Sequence, residues 1–338
     1  MRFAVDTGGT FTDLVIEQDD GSLTIAKSST TPSDPIAGLF DVLDKAAAAR
    51  GVDRATLLGQ GELFVHGTTR AINAILTGTT ARTALLSSEG HPDVLLFREG
   101  GRSDPFNFTR AFPKPYVPRS LTFEVPGRIG SQGEEVAPLD EGAVARIAGE
   151  IERRGVQAVA VCLLWSVVNP DHELRVGALL RELLPGLPIT LSHALNPTVR
   201  EYRRASAAAI DASLKPLMTS YLAALEERLR QAGFRGRLLM VTSSGGVLDA
   251  SAVAAAPIHS INSGPSMAPV AGRFHAERDA DCETAVVADT GGTSYDVSLV
   301  RRGRIPLTRE TWLGEPFIGH MTGFPSVDVT SIGVAPTS

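Results

Sequence analysis

The pattern Asp-Thr-Gly-Gly-Thr-x-x-Asp occurs twice, at residues 6–13 in MRFAVDTGGTFTD and at residues 289–296 in TAVVADTGGTSYD. The copies agree at six of eight positions, and each follows an apolar run. An apolar strand that delivers Asp and then Gly-Gly into a turn, and leaves as another strand, predicts a β-hairpin with an acidic root. The glycines permit positive φ and let backbone N–H groups approach a bulky anion with no side chain in the way. Thr7, Thr10 and Thr12 add hydroxyl donors. An Asp beside phosphate oxygens is repulsive unless a divalent cation lies between, which suits a Mg-nucleotide. Two such hairpins can grip the β- and γ-phosphates from opposite sides. One glycine turn after a strand is usually structural; a pair matched in register and strand context points to phosphate binding.

The 338 residues allow two domains, or one large domain and part of another. A net charge of -6 without any Lys/Arg block argues against a nucleic-acid or membrane-surface partner. The chain has 4 Lys and 28 Arg and no Gly-Lys-Ser/Thr element, so the lysine-based phosphate loop is absent. Cys162 and Cys282 lie in or beside apolar runs and read as reduced core residues of a cytosolic protein. The first residues are strand-like, without a leader pattern, and no apolar run approaches the ~18 residues of a membrane helix.

Along the chain, short apolar runs alternate with helical patterns. Strands are expected at residues 3–5, 14–16 and 23–26, followed by a helix capped by Ser33 or Asp34, with Pro35 in its first turn and its end at Gly51. Further strands are expected at 63–65, 83–86, 156–164, 188–191, 238–241 and 284–288, with helices between them. Residues 198–232 read as helical, divided by Pro216. The stretch 91–138 holds seven of the 21 prolines; residues 121–125 could pair across the Gly133 turn with a second short strand. The alternation predicts an α/β fold, a mixed sheet with flanking helices.

VDTGGTFTD and ADTGGTSYDVSLV resemble the phosphate hairpins of the actin, sugar-kinase and DnaK superfamily, and within it the hydantoinase A/5-oxoprolinase family. FVHGTTRAINAIL, ARTALLSSEGHPDVLLFREGGR, VQAVAVCLLWSVVNP, LNPTVREYRRAS, LLMVTSSGGV and INSGPSMAPVAG resemble that family in the same order. The resemblance implies an RNase H-like (actin/hexokinase-type) ATPase domain plus an incomplete second RNase H-like domain. It places an N-terminal domain at 1–195, a completing or linking segment at 196–283 and the start of a second domain at 284–338. It further implies an ATP- and Mg2+-using subunit that works beside a B-type (hydantoinase B-like) subunit in a hetero-oligomer. Such enzymes hydrolyse cyclic amides or carboxylate ketones after phosphorylating a carbonyl or enol oxygen. FREGGRSDPFNF, LLWSVVNP and GHMTGFPSVDV resemble the acetone/acetophenone carboxylase members more than the 5-oxoprolinases.

Carried onto this chain, the resemblance puts Thr7, Gly8, Gly9, Thr10 and Thr12 on one side of the phosphates. It puts Thr290, Gly291, Gly292, Thr293 and Ser294 on the other. Asp6 and Asp289 would orient Mg2+ or its waters, and Asp13 or Asp296 would serve as base or support. His66, where a strand meets a helix start, reads equally as a group facing substrate and as one filling a polar notch. Arg98 and Arg102 could meet an acidic substrate group, though loop arginines are more often solvated. Family members continue beyond FPSVDVTSIG, so a truncated or split product that alone binds ATP weakly is expected. The other readings are a nucleotide-dependent switch or scaffold of the same fold, and a small-molecule kinase.

Overall fold

The computed structural model describes residues 1–31, 34–99, 106–109, 111–290 and 294–333. Ser33, Arg102, Gly291, Gly292 and Thr293 lie outside the described residues. The chain divides into two compact units: residues 1–73, 218–308 and 325–338 form the first, and 74–217 and 309–324 the second.

The first unit is built on a meander of β1 (Arg2–Thr7), β2 (Phe11–Glu17) and β3 (Leu23–Ser29). Its side chains alternate, as strand geometry requires: Phe3, Val5 and Thr7 on β1 and Thr12, Leu14 and Ile16 on β2 are buried on one face. Helix α1 (Pro35–Ala49) packs against these strands and buries Leu39, Val42 and Leu43 completely. Asp34 caps it by accepting from Ala37 N at 3.2 Å, Pro35 opens it, and Gly51 past its end has φ 68°. β4 (Leu63–Thr68) runs parallel to β1, and the Arg237–Val241 strand runs parallel to β4 on its other side. With the antiparallel Val247–Asp249 strand, the sheet order is Val247–Asp249, Arg237–Val241, β4, β1, β2, β3. Phe3, Phe64 and Phe234 form an aromatic cluster on the buried face, with ring centroids 5.7 to 6.5 Å apart.

The helix Ser263–Ala280 packs against β4 and Arg237–Val241, and against a second small sheet of the same unit. That sheet has three antiparallel strands, Ala285–Thr290, Ser294–Val300 and Val329–Gly333. Gly272 lets helix and strand approach: a Cβ there would lie 2.3 Å from Val287 Cγ2. The third strand does not come from the residues that directly follow the second. Instead a tight turn with Arg302 at φ 50° and Gly303 at φ 67° leads to Pro306, which cannot donate to a ladder. Only Leu307–Thr308 then pairs, with Ser326–Val327.

The second unit has an all-parallel sheet ordered Ile189–Leu191, Ala158–Cys162, β5 (Thr83–Ser88), β6 (Thr122–Val125). Every residue of β5 and of Ala158–Cys162 is buried, as in a sheet covered on both faces. β6 corrects the expected hairpin. Residues 121–125 place Leu121 and Val125 in the core of the parallel sheet, and Gly133 instead turns Arg128–Ile129 back onto Glu135–Ala137.

Two further expectations change. Pro216 does not divide its helix, which runs unbroken from Glu201 to Gln231. Burial of Ala205, Ala207, Ala208, Ala209, Ile210 and Ala212 holds the preceding turns in place, so tertiary packing overrides the lost backbone hydrogen bond. The unit boundary nevertheless falls just past it, between Leu217 and Met218. Cys162 is buried as expected, but Cys282 is exposed and its thiol donates to Thr284 O at 3.0 Å. It follows Asp281, whose left-handed φ of 48° turns the chain off the helix end and away from the core. Among the described residues, no helix is long and apolar enough to cross a membrane.

Because the helix runs unbroken through Pro216, Pro216→Ala restores an interior hydrogen bond and removes a ring clash. The variant is expected to unfold at higher denaturant, by up to about 3 kcal/mol on the helix-interior scale. Urea titration followed by circular dichroism checks this; a lower midpoint would mean that the ring itself is required.

Candidate functional site

The two repeated segments form two hairpins of matching register in the first unit. In the first, Asp6 pairs across from Asp13 and Thr7 from Thr12; in the second, Asp289 pairs across from Asp296 and Thr290 from Tyr295. Each hairpin therefore sets two carboxyl groups directly opposite one another at its root. Like charges in that relation destabilise a sheet. The cost is incurred twice.

Hairpin one is pinned from inside. Gly8 N donates to Phe11 O at 3.0 Å across the turn. Thr30, just past β3, ties the tip down: its N–H donates to Thr10 O at 2.9 Å and its hydroxyl to Gly8 O at 2.9 Å. The Thr12 hydroxyl is fully buried and lies 3.1 Å from that of Thr30. Thr12 thus faces the scaffold beneath the turn, while Gly9 and Thr10 stand exposed at its tip. Thr7 Oγ1 is buried with no hydrogen-bond partner among the described residues. Thr30 lies outside the motif; continuing the β2–β3 register from Phe11 opposite Ser29 reaches it.

Asp6 and Asp13 lie on the opposite face from Thr7 and Thr12. Asp6 is level with Gly67 of β4, and a Cβ on Gly67 would come within 2.8 Å of Asp6 Oδ1. The glycine is a seat for the carboxyl group, the close approach that an isolated strand glycine signals. Although Asp6 keeps contact with solvent, its carboxyl is held above the usual carboxylate range, first by lost hydration and then by the charges of Asp13 and Asp289. The charge of Asp289 thus reaches Asp6, which relates the two hairpins electrostatically. Asp13 lies 3.0 Å from Lys27 in a half-exposed ion pair, and the Lys27 ammonium sits 4.6 Å from the Phe11 ring centroid. Asp289 and Thr290 are exposed, and Asp296 is buried. Ser294 opens the returning strand of the second hairpin. Among the described residues, no group of three or more His, Cys, Asp or Glu is arranged to hold a metal by protein ligands alone.

His66 is enclosed completely. Its Nδ1 lies 3.3 Å from Val5 O and its Nε2 2.7 Å from Tyr221 Oη. With Nδ1 donating to the carbonyl, Nε2 accepts from the phenol, and burial lowers the ring's pKa to about 4. The ring is neutral and tied at both nitrogens, which is the geometry of an interior polar notch. Arg70, the first residue of the following helix, lays its guanidinium 5.0 Å over the Tyr221 ring, and its buried Nε has no partner among the described residues. Tyr221 lies outside every motif, so only the fold brings it to this strand end.

A mixed sheet with an antiparallel meander, parallel strands on one side and paired acidic hairpins defines an RNase H-like ATPase fold of the actin/hexokinase type. Residues 2–184 match the hydantoinase/oxoprolinase N-terminal region, and residues 204–338 match hydantoinase/oxoprolinase. The chain belongs to the hydantoinase/oxoprolinase family. It is 32% identical over 98% of its length to caprolactamase subunit alpha of Pseudomonas jessenii, covering 47% of that protein. It is 34% identical over 88% of its length to the acetophenone carboxylase gamma subunit of Aromatoleum aromaticum, covering 42% of it. The solved structure of ATP-dependent caprolactamase from Pseudomonas jessenii superposes with a TM-score of 0.88 at 32% identity, over 98% of this chain and 48% of that one. A nucleotide-free structure of acetone carboxylase gives 0.84 at 22% identity, again over 98% and 48%, and shows the shared fold. The chain thus spans about half the length of these relatives.

His66 supplies a pH test. Its folded pKa is depressed below the ordinary 6.5, so its contribution to stability is complete above pH 6.5 and is lost as pH falls toward about 4. His66→Gln removes that titration. Urea midpoints measured from pH 8 to pH 4 should show the variant weaker at pH 8 and the gap narrowing toward pH 4. A constant gap would show that the ring is already charged or solvated in the fold.

Proposed function

We propose that this chain is the ATP-binding part of an enzyme that activates a carbonyl or enol oxygen by phosphoryl transfer, acting on a cyclic amide or a ketone. The observation supporting this most directly is the pair of hairpins with the same Asp-to-Asp register, coupled through Asp6 and Asp289. The reading is consistent with ATP-dependent caprolactamase and carboxylase relatives.

In this reading the exposed turn tip at Gly9 and Thr10 takes one side of the phosphates, with Gly8 bonding the turn together beside it, and Gly291, Gly292 and Thr293 take the other. Thr7 and Arg70 contribute the unsatisfied donors beneath the first turn. Asp6 and Asp289 are the residues that would hold Mg2+ through its waters. The raised Asp6 carboxyl fits that role, because a cation relieves the repulsion that raises it. Mg2+ keeps several waters and takes phosphate oxygens as ligands, so one or two carboxylates suffice, and bound there it would neutralise charge on the phosphates. Asp13, paired with Lys27, and Asp296 stand one strand away and in this reading would orient the attacking group or accept its proton. His66 supports the end of β4 from within.

The phosphoryl step forms a bond from the substrate oxygen to the γ-phosphorus and breaks the bond to the β-bridging oxygen, releasing ADP. The phosphorylated oxygen is then a good leaving group, which a lactam carbonyl or ketone enol otherwise lacks. What the chain supplies is positioning and charge neutralisation. A B-type subunit completing the reaction, in a cytoplasmic hetero-oligomer, belongs to the same proposal. The named caprolactamase and acetophenone carboxylase relatives are themselves alpha and gamma subunits.

The test is phosphate release from ATP by the chain with its partner subunit, with and without small lactams and ketones. Release that requires such a compound supports the proposal; slow hydrolysis indifferent to them would identify a switch instead. Asp6→Asn should reduce turnover at least ~100-fold. The same change should raise the melting temperature of the nucleotide-free protein. A carboxyl raised in the folded state costs stability once pH exceeds that raised value, and the amide carries no charge. Gly67→Ala should preserve the fold yet displace the Asp6 carboxyl and weaken nucleotide binding. Full activity in both variants would refute this placement of the metal.

A further inference from the structure

The second unit contains a cavity of about 630 Å³ at the carboxyl ends of its parallel strands. Ser87 and Ser88 end β5 and Cys162 ends its neighbour, the edge of an α/β sheet at which ligands characteristically bind. Val94, Phe97 and Leu164 give it apolar walls. Two polar groups on its lining are unsatisfied. Ser87 Oγ belongs to a residue only 2% exposed and has no hydrogen-bond partner among the described residues, and Arg98 Nε is likewise buried without one among them.

Arg98 is not the solvated loop arginine that its exposed-looking sequence setting implied. Its Nη1 donates to Phe317 O at 3.0 Å, and its Nη2 contacts Lys114 O and Ile318 O at 3.4 Å each. These bonds fix the guanidinium without neutralising it. Its backbone is held at φ 58° and ψ −142°, a region that non-glycine residues avoid and that surrounding contacts must enforce. The carboxylates lining the cavity are each engaged by another arginine. Glu99 binds Arg203 at 2.9 Å and Arg200 at 3.2 Å, Asp93 lies 3.4 Å from Arg119, and Glu201 lies 3.9 Å from Arg204. Among the described residues Arg98 has no carboxylate partner, so it is the uncompensated cation of the cavity. The Cys162 thiol is pushed up to about 11 by burial and contacts Glu201 O, which favours its neutral form.

We infer that this cavity is a binding site for a small organic carboxylate, with one N–H from Arg98 and the Ser87 hydroxyl as donors to its oxygens and the apolar walls around its carbon skeleton. Two donors match a carboxylate better than a phosphate, since both Arg98 Nη groups are already committed to carbonyls. The inference stands apart from the nucleotide reading, because the cavity shares no residue with the hairpins and its test needs no ATP.

The test is calorimetric titration of the full chain with hexanoate and with hexanamide, its neutral counterpart. Hexanoate is expected to bind about tenfold or more tightly than the amide, the margin of a charge-assisted hydrogen bond. Ser87→Ala removes a hydroxyl that bonds nothing in the protein, so its melting temperature should be unchanged while hexanoate binding weakens roughly three- to tenfold. Arg98→Gln should abolish the preference for the acid. Equal affinity for the two compounds, hexanoate binding unaltered in Ser87→Ala and Arg98→Gln, or no saturable binding of hexanoate would each overturn the assignment.

Discussion

Repulsion between carboxyl groups facing one another across a strand pair is the constraint around which the first unit is arranged. Asp6 faces Asp13, Asp289 faces Asp296, and the field of Asp289 reaches Asp6. A sheet would shed such pairs if burial and pairing were its only demands. The surroundings instead keep Asp6 in place. Gly67 leaves room for its carboxyl, β4 and β2 fix β1 from either side, and Thr30 fastens the turn that follows. The aromatic cluster of Phe3, Phe64 and Phe234 anchors the same strands from the buried face, so their register is set by packing.

What could be read in the sequence was whatever a local rule determines. Asp34 followed by Pro35 and an apolar stripe gives α1, and alternation in β1 and β2 gives the faces of the hairpin. The repeated motif gives both hairpins and their acidic roots. Four features were not legible, each for a non-local reason. Residues 121–125 join β5 in a parallel pair because their apolar side chains complete a distant core, where turn chemistry alone favoured a hairpin. Pro216 stays helical because the buried alanines before it hold the helix straight through. The third strand of the small sheet arrives from residues 329–333, beyond a segment interrupted by Pro306. Cys282 is turned outward by the left-handed residue before it.

The same limit governs the side chains. His66 looked equally suited to substrate and to interior because its motif fixes only its position at a strand end. What distinguishes them is Tyr221, 155 residues away in sequence, which closes the ring's second nitrogen. Arg98 changes meaning in the same manner. Its loop setting reads as solvated, yet carbonyls of residues 114, 317 and 318 converge on it. In both cases a long-range partner determines whether a polar group is available for chemistry, and a motif contains no information about that partner.

Titration separates the site from the scaffold. The carboxyl groups of Asp20, Asp34, Asp53, Glu99, Glu141, Glu150 and Asp279 are lowered, whereas that of Asp6 is raised. For the lowered groups, stability is present above the ordinary carboxylate range and is lost as pH falls through their folded values. The buried His66 and the partly buried His259 and His320 act in the same sense, losing their contribution below pH 6.5. Acid therefore weakens the scaffold, whereas protonating Asp6 relieves it. Under the proposed function, a cation held by Asp6 and Asp289 would act in the same direction, by offsetting the charges that help raise the Asp6 carboxyl.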